Sequence, residues 1–224
     1  MPQAGFHGIV GVVSRPWMPK REWLLLGLVF GNMFPDLDNI AVAAATVMKA
    51  PTDGLHRTFT HSIFTIAAVV ILFYIIGAVT RKLKWNNFGL GMGIGILMHI
   101  LLDLLAWFNG VELLWPFNHW ELNFWSWFVM PGWLDKILMT MEFLAFGLFF
   151  YLLASIAVKQ KTDTDYAPKL KNFGNIQFGL FVLFTVLAFS GLAGFMTIYG
   201  AVYLLALIFT IIITFRVRRT IEAA

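Results

Sequence analysis

An all-α, multi-pass transmembrane bundle with a partly inserted amino-terminal helical hairpin is the fold that three features of this sequence predict. The chain of 224 residues is 59% hydrophobic and only 12% charged, about half the charged fraction of a soluble domain. Its apolar residues come in long unbroken stretches, and its cations gather in short clusters between them. A globule this small has too little interior to hide so much apolar surface, so lipid must solvate part of it. Residues 1–224 read as one membrane domain, with motif-bearing helices (1–108), an aromatic interfacial segment (109–135) and carboxyl-terminal transmembrane helices (136–224).

The first two apolar pieces, Gly5 to Val13 and Trp23 to Phe34, give helices of only about 13 and 18 Å against a hydrocarbon core of about 30 Å. They read as a hairpin joined through Ser14-Arg15-Pro16 and Lys20-Arg21. Asn39 to Met48 is Ala-rich and suits a helix at the interface. Ser62 to Val79, Phe88 to Phe108 and Ile137 to Val158 approach the roughly 20 residues of a spanning helix. Ile176 to Phe215 is too long for one span; Gly191, Gly200 and Tyr199 permit a turn, so two final helices are expected, the second of them short. The amino terminus has no basic stretch ahead of its apolar run and no cleavage signature, and is expected to stay in the mature protein.

Between the second and third spans, Gly110 to Asp135 carries Trp115, Trp120, Trp125, Trp127 and Trp133 and no Lys or Arg. Two prolines and Glu112, Asn118, His119, Glu121 and Asn123 interrupt it, so it is expected along the headgroup layer. It serves there either as an aromatic belt or as a shelf admitting a lipid-bearing substrate.

The clusters Arg15/Lys20/Arg21, Arg81/Lys82/Lys84, Lys159/Lys161/Lys169/Lys171 and Arg216/Arg218/Arg219 fall on one side of this layout, leaving Lys49, Arg57 and Lys136 for the other. The positive-inside rule makes the crowded side cytoplasmic and turns Pro35 to His61 and Asn109 to Asp135 toward the periplasm or exterior. Dispersed cations of this kind serve topology, and no direct nucleic-acid partner is expected. With no cysteine, any metal must be held by His, Asp, Glu or water.

Polar residues at membrane depth are expensive, so those present are functional candidates. His99 and Asp103 in MHILLD stand i, i+4, which puts an imidazole and a carboxylate on one helix face. Asp36 and Asp38 in FPDLDN follow the second short helix, either as cation ligands or, through Asp38 or Asn39, as a cap of the next helix. HRTFTHS supplies His56, Arg57, Thr60 and His61, with His56 expected in a loop, Thr60 as N-cap and His61 in the first helical turn. The hairpin would bring His7 level with the aspartates. His119 reads first as an interfacial residue. So many oxygen and nitrogen ligands on one side exceed what a single tetrahedral zinc needs, and a centre of two or three divalent ions, zinc foremost, is expected.

These motifs, from His7 through GNMFPDLDN and HRTFTHS to HILLDLLAWFNGVELLWPF, resemble the YdjM family of LexA-binding, inner-membrane-associated proteins, which carry the family description of membrane-bound metal-dependent hydrolases. The resemblance implies metal positions at His7, Asp36, His56, His61, His99 and Asp103, with Asp38, Arg57 and Thr60 in the same motifs. Thr58 stands where many members have Gly after HR. A looser similarity links the pattern to zinc-dependent phospholipases C and single-strand-type nucleases. The second half of the chain carries no recognisable motif.

The expected function is a membrane-embedded hydrolase acting on a phosphate ester or lipid-like substrate at the outer interface, with membrane lipid as its surroundings. Arg57 would stabilise the anionic transition state and Asp38 would orient ligands or act as general base. One alternative is a non-catalytic anchoring or regulatory protein that engages a partner through Lys159 to Lys171. A metal-ion or proton transporter is disfavoured, because the later spans offer only Glu142 and Gln177 to continue a path.

Overall fold

The computed structural model describes residues 4–48, 50–107 and 110–224, and its long elements are all helices. Met1 to Gln3, Lys49 of the cation count, and Phe108 and Asn109 at the expected edge of the aromatic segment lie outside the described residues. Two short apolar helices, α1 (Ala4–Val13) and α2 (Leu24–Met33), are followed by α3 (Asn39–Val47). Five helices are long and apolar enough to cross a membrane: α4 (Ile63–Thr80), α5 (Leu83–Ala106), α6 (Gly132–Lys159), α7 (Ala167–Ser190) and α8 (Phe195–Arg216). A short α9 (Arg218–Glu222) ends the chain.

Four boundaries depart from the sequence reading. The final helix is a full 22 residues, because the turn before it is confined to Gly191 and Gly194, both at positive φ, while Gly200 is helical. Helices α5, α6 and α7 begin at Leu83, Gly132 and Ala167, ahead of the apolar runs. Polar residues such as Lys84, Lys169 and Lys171 lower the hydropathy there without stopping a helix, and Pro131 and Pro168 mark the α6 and α7 starts. Gly132 to Asp135 therefore belong to α6 and not to the aromatic segment.

The hairpin is buried in protein, with nine of the ten residues of α2 buried. That is where an all-round apolar helix too short to span belongs. Within a bilayer, apolar burial gives little driving force and close backbone contact decides which helices pair. A Cβ at Gly27 or Gly31 would run into the Phe88 or Met92 carbonyl, and one at Gly91 or Gly95 into the Leu24 or Leu28 carbonyl. Gly89 and Gly93, on another face of α5, admit Phe73 and Val70 of α4. Helix α5 is thus tightly packed on two sides, whereas α4 packs on α5 and turns nearly all its surface outward.

Helix α1 fits against α6 at Gly5, where a Cβ would lie 2.6 Å from Phe146 N, and against α2 at Gly11. The core between α1, α2 and α6 is filled by Phe143, Phe146, Phe149, Phe150 and Leu28, all 0% exposed. At the basic end, the Glu222 carboxylate accepts from Trp23 N (2.9 Å) and Leu26 N (2.8 Å). It thereby satisfies the first amides of α2, a position that also favours negative charge.

Replacing Gly95 by Leu is expected to destabilise the protein by at least about 1–3 kcal/mol through overpacking, whereas Leu at Gly179, which has nothing within 4 Å of a built Cβ, is expected to leave stability unchanged. Thermal melting of the detergent-solubilised proteins checks this, and equal melting of the two variants would refute the packing account.

Candidate metal centre

The close approach of α2 and α5 at Gly31 and Gly95 sets the first contact of the centre. One turn beyond Gly95, His99 Nδ1 lies 2.7 Å from the backbone oxygen of Asn32 at the end of α2. A carbonyl only accepts, so Nδ1 carries the hydrogen and the neutral ring points its Nε2 lone pair inward. Asn32, which the sequence reading passed over, was legible as the lone amide in an otherwise apolar helix.

His61 is oriented by a parallel device. Thr60 Oγ1 donates to Asp38 Oδ2 at 2.7 Å, and its oxygen accepts from His61 Nδ1 at 2.9 Å. The His61 Nε2 lone pair then also points inward. Thr60 and His61 sit in a 3-10 turn, Phe59–His61, and not in the helix. The N-cap of α4 is Ser62, whose Oγ accepts from Phe64 N, and not Thr60, whose hydroxyl is engaged by Asp38.

The two Nε2 atoms are 3.2 Å apart. Asp103 Oδ2 lies 3.6 Å from that of His61 and 3.7 Å from that of His99, and Asp36 Oδ1 lies 4.0 Å from that of His99. Ligand bonds of about 2.0–2.1 Å at tetrahedral angles give ligand-to-ligand edges of about 3.3 Å. Three of these separations are within a few tenths of an ångström of that edge, and Asp36 needs a small inward shift. His61, His99 and Asp103 therefore stand at mutual separations that one small divalent cation could bridge.

Asp103 reaches further with its other oxygen. His7 Nε2 lies 3.1 Å from Asp103 Oδ1, and the His7 ring stacks on His99 at 3.7 Å. His7, His99 and Asp103 by themselves form a group able to hold a metal ion. Together with the His61 and Asp36 contacts, this makes Asp103 a carboxylate shared between two neighbouring sets of donors. Arg57 Nη2 touches Asp103 Oδ2 at 3.1 Å.

Of the other sequence candidates, Asp38 and His56 stand beside the group. Asp38 takes the N-cap position of α3 without a capping bond. Its oxygens accept instead from His56 Nδ1 (2.6 Å), Arg57 N (3.1 Å) and Thr60. His56 keeps a buried Nε2 with no hydrogen-bond partner, its ring centroid 5.5 Å from His61. His119 is exposed and paired with Glu112 at 2.9 Å.

Burial and the neighbouring Asp103 push the Asp36 carboxyl well above its usual range. Burial acts upward on Asp38 too, but the hydrogen bond and charge of His56 outweigh it and Asp38 lies below the usual range. Burial lowers His56 to about 4 against the opposing pull of Asp38. An ionised Asp38 beside a neutral His56 is the state that frees a histidine nitrogen for a cation.

Glu142 was considered for a transport path only, yet it is fully buried on α6 and accepts from Gly5 N at 3.1 Å. It anchors the start of α1 two residues before His7. The only acidic residue between Lys136 and Val158 was signal enough to find it. The aromatic segment roofs the centre, because Glu112 N donates to Arg57 O (3.0 Å) and Ser62 Oγ donates to Trp115 O (2.7 Å).

Against known proteins, residues 5–220 match the model of a family described as YdjM inner membrane protein. No curated protein and no solved structure matches the chain.

Because the folded state holds His56 neutral down to about 4 while an unfolded histidine protonates near 6.5, its contribution is complete above 6.5 and is lost as pH falls toward 4. Metal-stripped protein is expected to melt at falling temperature across that window, and the His56→Gln variant less steeply. Parallel slopes would count against a neutral buried His56. Glu142→Ala is expected to loosen α1, seen as faster amide hydrogen exchange over Gly5 to His7 while α4 stays unchanged.

Proposed function

The chain belongs to the YdjM inner membrane protein family, and we propose that it is a membrane-embedded, metal-dependent hydrolase acting on a phosphate ester, in a lipid-like substrate, at the outer membrane-water interface. The observation that carries this reading is the convergence of two histidine lone pairs and two carboxylates, each histidine oriented by a hydrogen bond on its far side.

His61, His99, Asp103 and Asp36 would hold one ion, and His7 with the second Asp103 oxygen would hold part of another. A zinc-type ion there supplies the positive charge that makes water acidic near neutral pH and steadies charge building on a phosphate. Arg57 stands within reach of the same oxygens and is suited to bind an anionic ester group. The three hydrogen bonds accepted by Asp38 favour an orienting role for it over that of a general base. A lipid-like substrate is supported by the roof, where Phe117, Trp120 and Trp127 are 80%, 56% and 72% exposed. Tryptophans of this kind settle at the headgroup level. The outward facing of the site rests on the distribution of Lys and Arg.

The test is metal analysis of untagged, detergent-purified protein by inductively coupled plasma mass spectrometry, beside His61→Ala and Asp103→Ala. Two or more equivalents of zinc or manganese are expected in the wild type and loss in both variants. Phosphoester lipids should then be hydrolysed by the wild type alone, with Arg57→Ala slower by about 10²–10³-fold. No bound metal after zinc is added back would reduce the cluster to a structural hydrogen-bond network and leave the anchoring role as the better reading.

A further inference from the structure

Two cavities lie along α7 and α8, one where the loop before α7 meets the end of α8 and the start of α9, the other between the two helices themselves. The first, about 320 Å³, lies at the basic end and is lined by Asp163, Asp165, Arg216, Arg218 and Arg219. The second, about 380 Å³, lies deeper between the same helices, bounded by Phe173, Ile176 and Leu180 on α7 and by Val202, Leu205 and Phe209 on α8. On α8, Phe209 lies seven residues before Arg216, about 10 Å along the axis, and on α7 Phe173 lies six residues after the first helical residue, Ala167. Charged space at a helix end, with a mostly apolar groove two turns away that only Gln177 interrupts, matches a lipid headgroup with one chain laid along the seam.

The charges in the first cavity say which headgroup. Arg216 pairs with Asp163 at 3.8 Å, and Thr220 donates to the same carboxylate at 3.1 Å. Among the described residues, Arg218 and Arg219 have no carboxylate within ion-pair distance, and Asp165 has no cation. Two guanidinium groups and one carboxylate therefore face the cavity with their charges uncompensated. They complement a phosphate joined to an ammonium group. The cations are also held in place: Arg216 stands 5.2 Å over the Tyr166 ring, Lys169 stands 5.4 Å over it, and Arg218 stands 5.2 Å over Phe215. Tyr166, under Arg216, packs on Phe173, which meets Phe209 edge-on at 4.7 Å and with it lines the groove.

We propose that the α7–α8 seam is a binding site for one aminophospholipid, its phosphate on Arg218 and Arg219, its ammonium on Asp165 and one acyl chain along the groove. The site lies at the end of the bundle opposite the His/Asp centre and does not depend on the hydrolase reading.

The test is native mass spectrometry of the full chain in detergent with phosphatidylethanolamine, phosphatidylglycerol and phosphatidylcholine of identical chains, and with chain-free phosphoethanolamine. Phosphatidylethanolamine is expected to bind about fivefold or more tightly than the other two lipids, and Arg218→Ala and Arg219→Ala to weaken it by about fivefold each. Asp165→Asn should abolish the preference over phosphatidylglycerol while leaving that lipid bound. These are exposed or half-exposed positions, and an unchanged melting curve excludes misfolding. Equal binding of the three lipids, retention that ignores both arginines, or phosphoethanolamine binding as tightly as the lipid would each overturn the proposal.

Discussion

The carboxylate of Asp103 is the point on which the outer half of the molecule depends. It is touched by His7 from α1, by His61 and Arg57 from the loop before α4, and by His99 from its own helix. With Asp36 and Asp38 also buried, three carboxylates face one guanidinium in a region of low dielectric. Such a set repels itself unless positive charge enters. The high pKa of Asp36 describes the metal-free resolution, in which a proton takes the place of a cation. A divalent ion would meet the same need without a proton, so metal binding and proton release should be linked.

Sub-ångström placement of this cluster traces to glycine. If α2 and α5 were held apart by side chains at Gly31 and Gly95, Asn32 O would no longer meet His99 Nδ1; a Cβ on Gly95 would already lie 2.7 Å from Asn32 N. The ring would then lose its fixed tautomer and its inward lone pair. Gly5 does the same work on the other flank, where backbone contact with α6 brings Glu142 to the first amides of α1 and sets the height of His7. In a membrane, where apolar burial discriminates little, a packing code written in small residues is the available means of positioning a polar site.

This explains what could be read from the sequence and what could not. The i, i+4 pair His99/Asp103 and the HRTFTHS cluster announce themselves because ionisable residues are rare in apolar surroundings. The five spanning helices follow from bilayer thickness. Partners supplied by the backbone, such as Asn32 O, leave no mark in residue type, and neither does the choice between Thr60 and Ser62 as the cap, since either hydroxyl suits the position. That choice turned on Asp38, 22 positions away, engaging the Thr60 hydroxyl. Helix starts at Leu83 and Ala167 were missed for a different reason: hydropathy reports the hydrocarbon boundary, whereas helix continues through the headgroup layer.

The interior beneath the centre bears on the choice between catalysis and transport. A conducting path needs polar groups or water-sized spaces that continue inward. The rings of Phe143, Phe146, Phe149 and Phe150 fill that space with no exposed surface. Of the hydroxyls near this level, that of Tyr199 donates to Met139 O and that of Thr140 pairs with Thr185, while the buried Tyr203 hydroxyl has no hydrogen-bond partner. Among the described residues of the cluster, the His56 side chain is the most exposed, at 21%. Phenylalanine rings back the polar centre on one side, and the aromatic segment is tied to it on the other through the Arg57 carbonyl and the Ser62 hydroxyl. Such packing favours the proposed hydrolytic reading over that of an ion in transit.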